Sequence, residues 1–173
     1  VGYLANNAGD SGSWLILANE SSVPDNGGIN SIAVSNGIAY AGTGGYNLNN
    51  NSYYGHVYSC AGAQSPWQEI GGESVPNGGE VYSVALSNTG SVYAGTGGYD
   101  LTSNTSFGSV YVSINNGNWQ QVGGGVTPDN GVVTSLAISS NNQVYAATSN
   151  ANVYLSTGNS SWSVFGGGSL PDN

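Results

Sequence analysis

Few residues in this chain could do chemistry, and their spacing argues against most of it. The stretch VYAGTGGYDLTSNTSFGSVY (Val92 to Tyr111) holds a GTGG core of the kind that cradles a phosphate when a Lys and a helix follow. Neither partner is available: the 173 residues include no Lys or Arg, no segment has helical periodicity, and near-identical text recurs at Ala39 to Tyr58. Carboxylates are the next candidates, because glycoside hydrolysis needs two of them facing one site. Asp25, Asp129 and Asp172 sit in repeated Pro-Asp-Asn triplets, which reads as turn capping. Glu69, Glu73, Glu80 and Asp100 are less symmetric, and no spacing pairs them. His56 stands where the other copies have Ser109 and Asn152, which predicts a surface strand position and not a base or metal ligand. Cys60 has no partner for a disulfide and reads as a buried thiol. No Ser/His/Asp constellation, Cys/His zinc spacing or EF-hand loop occurs. The expectation is a protein without catalysis, metal or cofactor.

Composition narrows the partners. Nine acids and one His give a formal charge of -9, so nothing can neutralise phosphates and release counterions from a nucleic acid. Arginine clamps on carboxylates and phosphates and polybasic attachment to an anionic membrane are excluded by the same lack. No apolar run approaches the roughly 20 residues that span a bilayer, so membrane insertion is not expected. The sequence begins at Val1 without a signal-like segment, which is read as a mature or excised polypeptide. Trypsin has no cleavage site, so resistance to it is expected.

What positions these residues is a repeat. INSIAVSNGIAYAGTGGYN (Ile29 to Asn47) returns as VYSVALSNTGSVYAGTGGYD (Val81 to Asp100) and as VTSLAISSNNQVYAATSN (Val133 to Asn150), with Ser31, Ser83 and Ser135 each 52 residues apart. HVYSC (His56 to Cys60), SVYVS (Ser109 to Ser113) and NVYLS (Asn152 to Ser156) correspond in turn, and VGYLA (Val1 to Ala5) is an earlier copy. Each is followed by a tryptophan: Trp14, Trp67, Trp119 and Trp162, spaced 53, 52 and 43. One unit therefore contains four short strands, A to D (SVALS, SVYAGT, SVYVS and NWQQV), alternating with period two between Gly, Asn and Pro. The D to A connectors ESSVPDNGG, GESVPNGGE, GGVTPDNGV and GGSLPDN have tight-turn chemistry, with Pro fixing φ and Gly taking positive φ.

Four antiparallel strands repeated at this period match the blade of a β-propeller. The sequence predicts an all-β fold: a half blade over 1–28 (strands C and D), then blades over 29–80, 81–132 and 133–173. Propellers have about four to eight blades. Three and a half are thus expected to belong to a larger propeller or to a ring closed by two copies.

The turns between strands C and D, SINNGNW (Ser113 to Trp119) and STGNSSW (Ser156 to Trp162), with the looser SCAGAQSPW (Ser59 to Trp67) and NNAGDSGSW (Asn6 to Trp14), resemble the Asp-box, S-x-D-x-G-x-x-W, of sialidase-like propellers (BNR-like repeats). Asn115 and Gly158 replace its acid. The resemblance implies a structural motif, in which the tryptophans pack between neighbouring sheets.

Loop length then points to a working face. The B to C connection is long in two units, GGYNLNNNSYYG (Gly44 to Gly55) and GGYDLTSNTSFG (Gly97 to Gly108), and almost absent in the third, where TSNAN serves. These inserts carry Tyr46, Tyr53, Tyr54, Tyr99, Asp100 and Phe107 among Asn, Ser and Thr. Aromatics amid hydroxyls and amides suit a neutral glycan or a protein interface, while Tyr46 and Tyr99 can equally pack the loop base. Asn19, Asn50, Asn104 and Asn159 begin glycosylation triplets. The leading expectation is a secreted or cell-surface binding module for a glycan or protein ligand. A self-assembling structural repeat and a fragment of a propeller glycosidase are the alternatives.

Overall fold

The computed structural model describes residues 23–62, 65–76, 79–158 and 160–168. Every regular element among them is a strand. The first group is β1 (Gly28–Ser35), β2 (Ile38–Asn47), β3 (Ser52–Tyr54), β4 (Val57–Cys60) and β5 (Gln68–Glu69); the second is β6 (Glu80–Leu86), β7 (Val92–Asp100), β8 (Thr105–Ser113) and β9 (Gln120–Gln121); the third is β10 (Val133–Ile138), β11 (Val144–Thr148), β12 (Val153–Ser156) and β13 (Ser163–Phe165). They form three antiparallel sheets of four strands in chain order, β1-β2-β4-β5, β6-β7-β8-β9 and β10-β11-β12-β13, with β3 paired to the end of β2. The fourth strands stop after two or three residues, shorter than the alternation predicts. In the first two sheets the chain then leaves the edge through paired positive-φ glycines, Gly71 and Gly72, then Gly123 and Gly124.

Local chemistry sets the turns. Ser35 pairs with Ile38 across Asn36-Gly37, both at positive φ, the dipeptide that a two-residue hairpin demands. A register shift recurs at one place in each A–B pair, between Ile29 and Ser31, Val81 and Ser83, and Val133 and Ser135. The serine after each of the first two shifts reaches the neighbouring sheet. Val84 N donates to Ser31 Oγ at 2.9 Å and Leu136 N to Ser83 Oγ at 3.0 Å. The serine period of the sequence is thus a row of bonds between sheets.

The cores also lie between sheets. Val57, Ile70 and Val75 meet Val81, Val84, Val92, Ala94, Tyr111 and Trp119 in the first. In the second, Tyr93, Val110, Val112 and Val122 meet Val133, Val144 and Ala146, with Leu136, Ile138 and Trp162 partly buried against them. The middle sheet is therefore covered on both faces, and residues Val92 to Gly98 of β7 are buried without interruption. Each valine taken fully out of water contributes about 1.5–3 kcal/mol, so these contacts, more than strand length, hold the sheets together.

The C to D turns keep the alignment of HVYSC with SVYVS and NVYLS, and begin the first of these turns one residue later than Ser59. Ser113 Oγ donates to Gly117 O and Ser156 Oγ to Ser160 O, both at 2.6 Å. By register, Ala39 pairs with Cys60 as Val92 does with Ser113 and Val144 with Ser156. Cys60 and not Ser59 therefore fills the serine position, and its buried thiol lies 3.2 Å from Gly62 O and 3.4 Å from Ser65 O.

Candidate functional site

The long B to C inserts are not irregular loops. In the second sheet β7 and β8 stay paired through Gly97–Gly108, Gly98–Phe107, Tyr99–Ser106 and Asp100–Thr105. In the first, β3 pairs with β2 through Gly45–Tyr54, Tyr46–Tyr53 and Asn47–Ser52. Each insert is a hairpin that prolongs its sheet and closes in a turn at residues 48–51 or 101–104. The glycines that suggested a loop are covered by aromatic rings of the partner strand. A Cβ at Gly45 would stand 2.5 Å from Tyr54 Oη, and one at Gly98 2.7 Å from Phe107 Cζ. Tyr54 and Phe107 thus have a packing role.

Tyr46 and Tyr99 span their own turns instead of packing the base. The Tyr99 hydroxyl donates to Asn104 Oδ1 at 2.6 Å, and that of Tyr46 to Asn51 Oδ1. Both asparagines are left-handed, at φ 55° and 57°, a conformation that Asn tolerates. Tyr53 lies edge-on to Tyr46 with centroids 4.8 Å apart. Asp100 caps the second turn: Oδ1 accepts from Thr102 N at 2.8 Å and Oδ2 from Ser103 Oγ at 2.8 Å. The Ser103 hydroxyl and the two backbone N–H groups hold this exposed carboxyl below its ordinary range. Asn47 makes the equivalent bond from Asn49 N at 2.9 Å. With these polar groups engaged, the tips present two residues that sequence reasoning passed over, Leu48, 85% exposed, and Leu101, 57% exposed. They occupy equivalent positions, and a leucine beside each tyrosine pattern was the available signal. Asn50 and Asn104 are exposed on the same turns, Asn50 Oδ1 accepting from Ser52 Oγ at 2.8 Å. Asn19, Asn159, Trp14 and Asp172 lie outside the described residues.

At the hairpin bases the D to A connectors dock, with Val75 N bonded to Gly55 O and Thr127 N to Gly108 O, both at 2.9 Å. Here the acids have structural partners. Asp25 accepts from Gly27 N at 3.0 Å and Thr43 Oγ1 at 2.6 Å. Asp129 repeats this with Gly131 N at 2.9 Å and Thr148 Oγ1 at 2.7 Å, and adds Asn152 Nδ2 at 2.9 Å. Burial raises the Asp129 carboxyl, but the three hydrogen bonds outweigh it and hold the group below its ordinary value.

His56 departs from its expected surface position. It is about one-fifth exposed, and its Nδ1 lies 2.6 Å from Glu69 Oε1. Its ring stacks on Tyr58 at 5.8 Å and meets Tyr54 edge-on at 6.1 Å. Burial, then the charges of Asp25 and Glu69, push the Tyr58 phenol well above its ordinary value. The cluster gathers a histidine, two acids and two tyrosines, yet each acid already holds a protein donor or the imidazole. No group of three metal-ligating side chains occurs among the described residues.

The tryptophans lie at the other end. Trp119 is buried between the first two sheets, donating from Nε1 to Glu73 O at 3.3 Å, and Trp162 packs against the second core. Each indole covers a glycine of the preceding sheet, Gly71 or Gly123, where a Cβ would overlap the ring. Asn116 of the same turn accepts from Gly71 N at 3.0 Å. Trp67 is half-buried.

No family model matches this chain, and no curated protein does. Among solved structures, a chain described as YCF48 bound to D1 peptide is 12% identical, over 79% of this chain and 66% of that one, with a TM-score of 0.27, a likeness too slight to carry fold or function across.

Proposed function

We propose that the chain is a non-catalytic binding module, a run of β-propeller blades with Asp-box-like turns, secreted or held at the cell surface. It takes a protein or neutral glycan ligand at the tips of its two long hairpins. The observation that carries this reading is the pair of equivalent hairpins projecting from neighbouring sheets. Each has its turn pre-formed by a tyrosine–asparagine bond and a leucine turned out to solvent. The third sheet connects the same two strands by Ser149 to Asn152 alone, so the inserts exceed what the fold requires. Conserving rigidity while exposing an apolar residue suits recognition, since a pre-ordered contact loses little entropy on binding. The tip leucines favour a protein surface over a sugar. Support for the blade reading comes from the tryptophan-on-glycine contacts and the serine-to-carbonyl turns, which repeat from unit to unit.

The test is a screen of the whole chain against a glycan array and a displayed protein library, followed by Leu48→Ser/Leu101→Ser. A ligand whose affinity falls at least about tenfold in the double variant is the expected outcome. Unchanged affinity, with the fold intact by circular dichroism, would overturn the assignment to the tips.

A self-assembling repeat is the second reading, and one observation favours it. Ile29, Ile32 and Val34 of β1 are 56%, 62% and 69% exposed, although their equivalents in β6 pack on the preceding sheet.

A further inference from the structure

Five asparagines of this chain precede a glycine: Asn26, Asn36, Asn77, Asn116 and Asn130. An asparagine so placed can modify itself. The backbone nitrogen of the next residue, after losing its proton to solvent base, attacks the asparagine Cγ; a C–N bond forms, the side-chain amide leaves as ammonia, and a succinimide ring results. Water then opens the ring to aspartate, or to isoaspartate, in which the main chain runs through the former side chain. Glycine favours the attack because no Cβ obstructs the nitrogen. The dipeptide is the same at all five places, so the fold must decide between them. Asn77-Gly78 lies outside the described residues.

The other four asparagines share more than the dipeptide. All are exposed, and all are left-handed, at φ 54°, 51°, 58° and 54° in chain order. What differs is the attacking nitrogen. Gly27 N donates to Asp25 Oδ1 at 3.0 Å, and Gly131 N donates to Asp129 Oδ1 at 2.9 Å. A carboxylate so close opposes turning the N–H into an anion, by its charge as well as by the bond. Gly117 N donates to Ile114 O at 2.9 Å, and the Asn116 side chain is itself held, its Oδ1 accepting from Gly71 N at 3.0 Å. Gly37 N, by contrast, has no acceptor among the described residues. Space separates the sites in the same way. A Cβ at Gly27 or Gly117 would stand 3.1 Å from its nearest neighbour and one at Gly131 2.8 Å, while at Gly37 nothing lies within 4 Å.

We infer that the turn Asn36-Gly37, between β1 and β2, is a self-modification site: Asn36 loses ammonia and takes up water, while hydrogen bonds withhold Asn26, Asn116 and Asn130 from the same reaction. Solvent supplies both the base and the water, so no other reactant is required. The two products differ in consequence. Aspartate suits a left-handed position and adds a negative charge to a chain already at -9. Isoaspartate adds a methylene to the backbone of a two-residue turn, whose ends are fixed by the pairing of Ser35 with Ile38, and so works against the register of β1 on β2. The site is remote in sequence from the long hairpins, and failure of the binding reading would leave it standing.

The test is to incubate the whole chain at mildly alkaline pH, with and without urea, and to follow each Asn-Gly by chymotryptic digestion and mass spectrometry. In the folded chain Asn36 is expected to react at least about tenfold faster than Asn26, Asn116 or Asn130. In urea the four rates are expected to converge. A rate at any of the three that matches Asn36 in the folded chain overturns the inference. So does a lead of Asn36 that persists undiminished in urea, because the dipeptide's neighbours and not the hydrogen bonds would then set the order. A variant gives a second measurement. Asn36→Asp keeps a residue that tolerates the turn and is expected to remove one equivalent of ammonia from the fast phase released by the folded chain; an unchanged fast phase overturns the assignment to this turn.

Discussion

Trp119 and Trp162 come from equivalent turns and lie over equivalent glycines, Gly71 and Gly123, yet they are not equally well housed. Trp119 is 7% exposed, and its indole N–H has a carbonyl partner on Glu73. Trp162 is only partly buried, and its Nε1 is shut from water with no partner. One further position in each contact differs in the same sense. Val84 of β6 is buried against the first sheet, whereas its counterpart Leu136 of β10 is only partly covered by the second; Val81 and Val133 are both fully buried, and Leu86 and Ile138 both partly. One pattern of residues has produced a well-made contact and a looser one. Repetition in sequence thus specifies where sheets meet, while the neighbours at each meeting decide how much stability results.

The tryptophans give the largest test of this difference. Trp119→Ala removes a buried ring and leaves a cavity, a change of about 3–5 kcal/mol. Trp162→Ala is expected to cost less, by at least about 1 kcal/mol, because less ring is buried and an unpaired N–H, itself unfavourable, is removed with it. Urea denaturation of both variants measures the gap. Equal losses would mean that the two contacts are equivalent after all.

The bridging serines sharpen the comparison with an internal control. Ser31→Ala and Ser83→Ala each deprive a backbone N–H of its acceptor, Val84 N or Leu136 N. An unsatisfied buried donor costs about 1–3 kcal/mol. Ser83 is buried and Ser31 half-buried, so the larger loss is expected at Ser83. Ser135 is the same residue of the repeat and is exposed; Ser135→Ala is expected to stay within about 0.5 kcal/mol of wild type. A loss at Ser135 matching that at Ser83 would show that the serines act within their own sheets and not between them.

The serines also mark how far the sequence could be read. Their period, like that of the tryptophans, announces four-strand units with alternating strands, and three such sheets are present. What the period cannot announce is the partner, because the bond from Ser83 runs to Leu136 in another unit. The pairing of His56 with Glu69 is hidden for a related reason. The two are 13 residues apart, and only the register of β4 against β5 brings them together. The hairpins read as loops in the sequence because Gly44, Gly45, Gly97 and Gly98 carry little strand propensity of their own. Their strand character comes from Tyr54 and Phe107 across the ladder, a tertiary effect that a linear reading does not weigh. Leu48 and Leu101 do not stand out among the tyrosines, since exposure at a turn tip depends on which side chains the turn itself consumes.

The smallest expected effect concerns the connector acids, where Asn152 gives the acid of the third sheet a donor that the acid of the first sheet lacks. Asp25 is held by Gly27 N and Thr43, while Asp129 has the same two partners and Asn152 besides. Those bonds hold the Asp129 carboxyl below its ordinary pKa against the opposing pull of burial. A depressed native pKa means that the unfolded chain binds the proton more readily. Asp129 therefore adds stability that is fully present above the unfolded value of about 4 and is lost as pH falls through the native value. Thermal midpoints measured downward from neutrality should decline in that acid range. Asn152→Ala withdraws one donor from the ionised form, so the native pKa rises toward the unfolded one and less of the decline is due to Asp129. The comparison is then between Asn152→Ala and His56→Ala, which removes the residue at the equivalent place in the first sheet, where the contact is to Glu69 and not to the connector acid. Carboxyl titration followed by NMR should show Asp129 moving upward in Asn152→Ala and staying in place in His56→Ala. An Asp129 titration that is indifferent to Asn152 would remove this donor from the account of the connector.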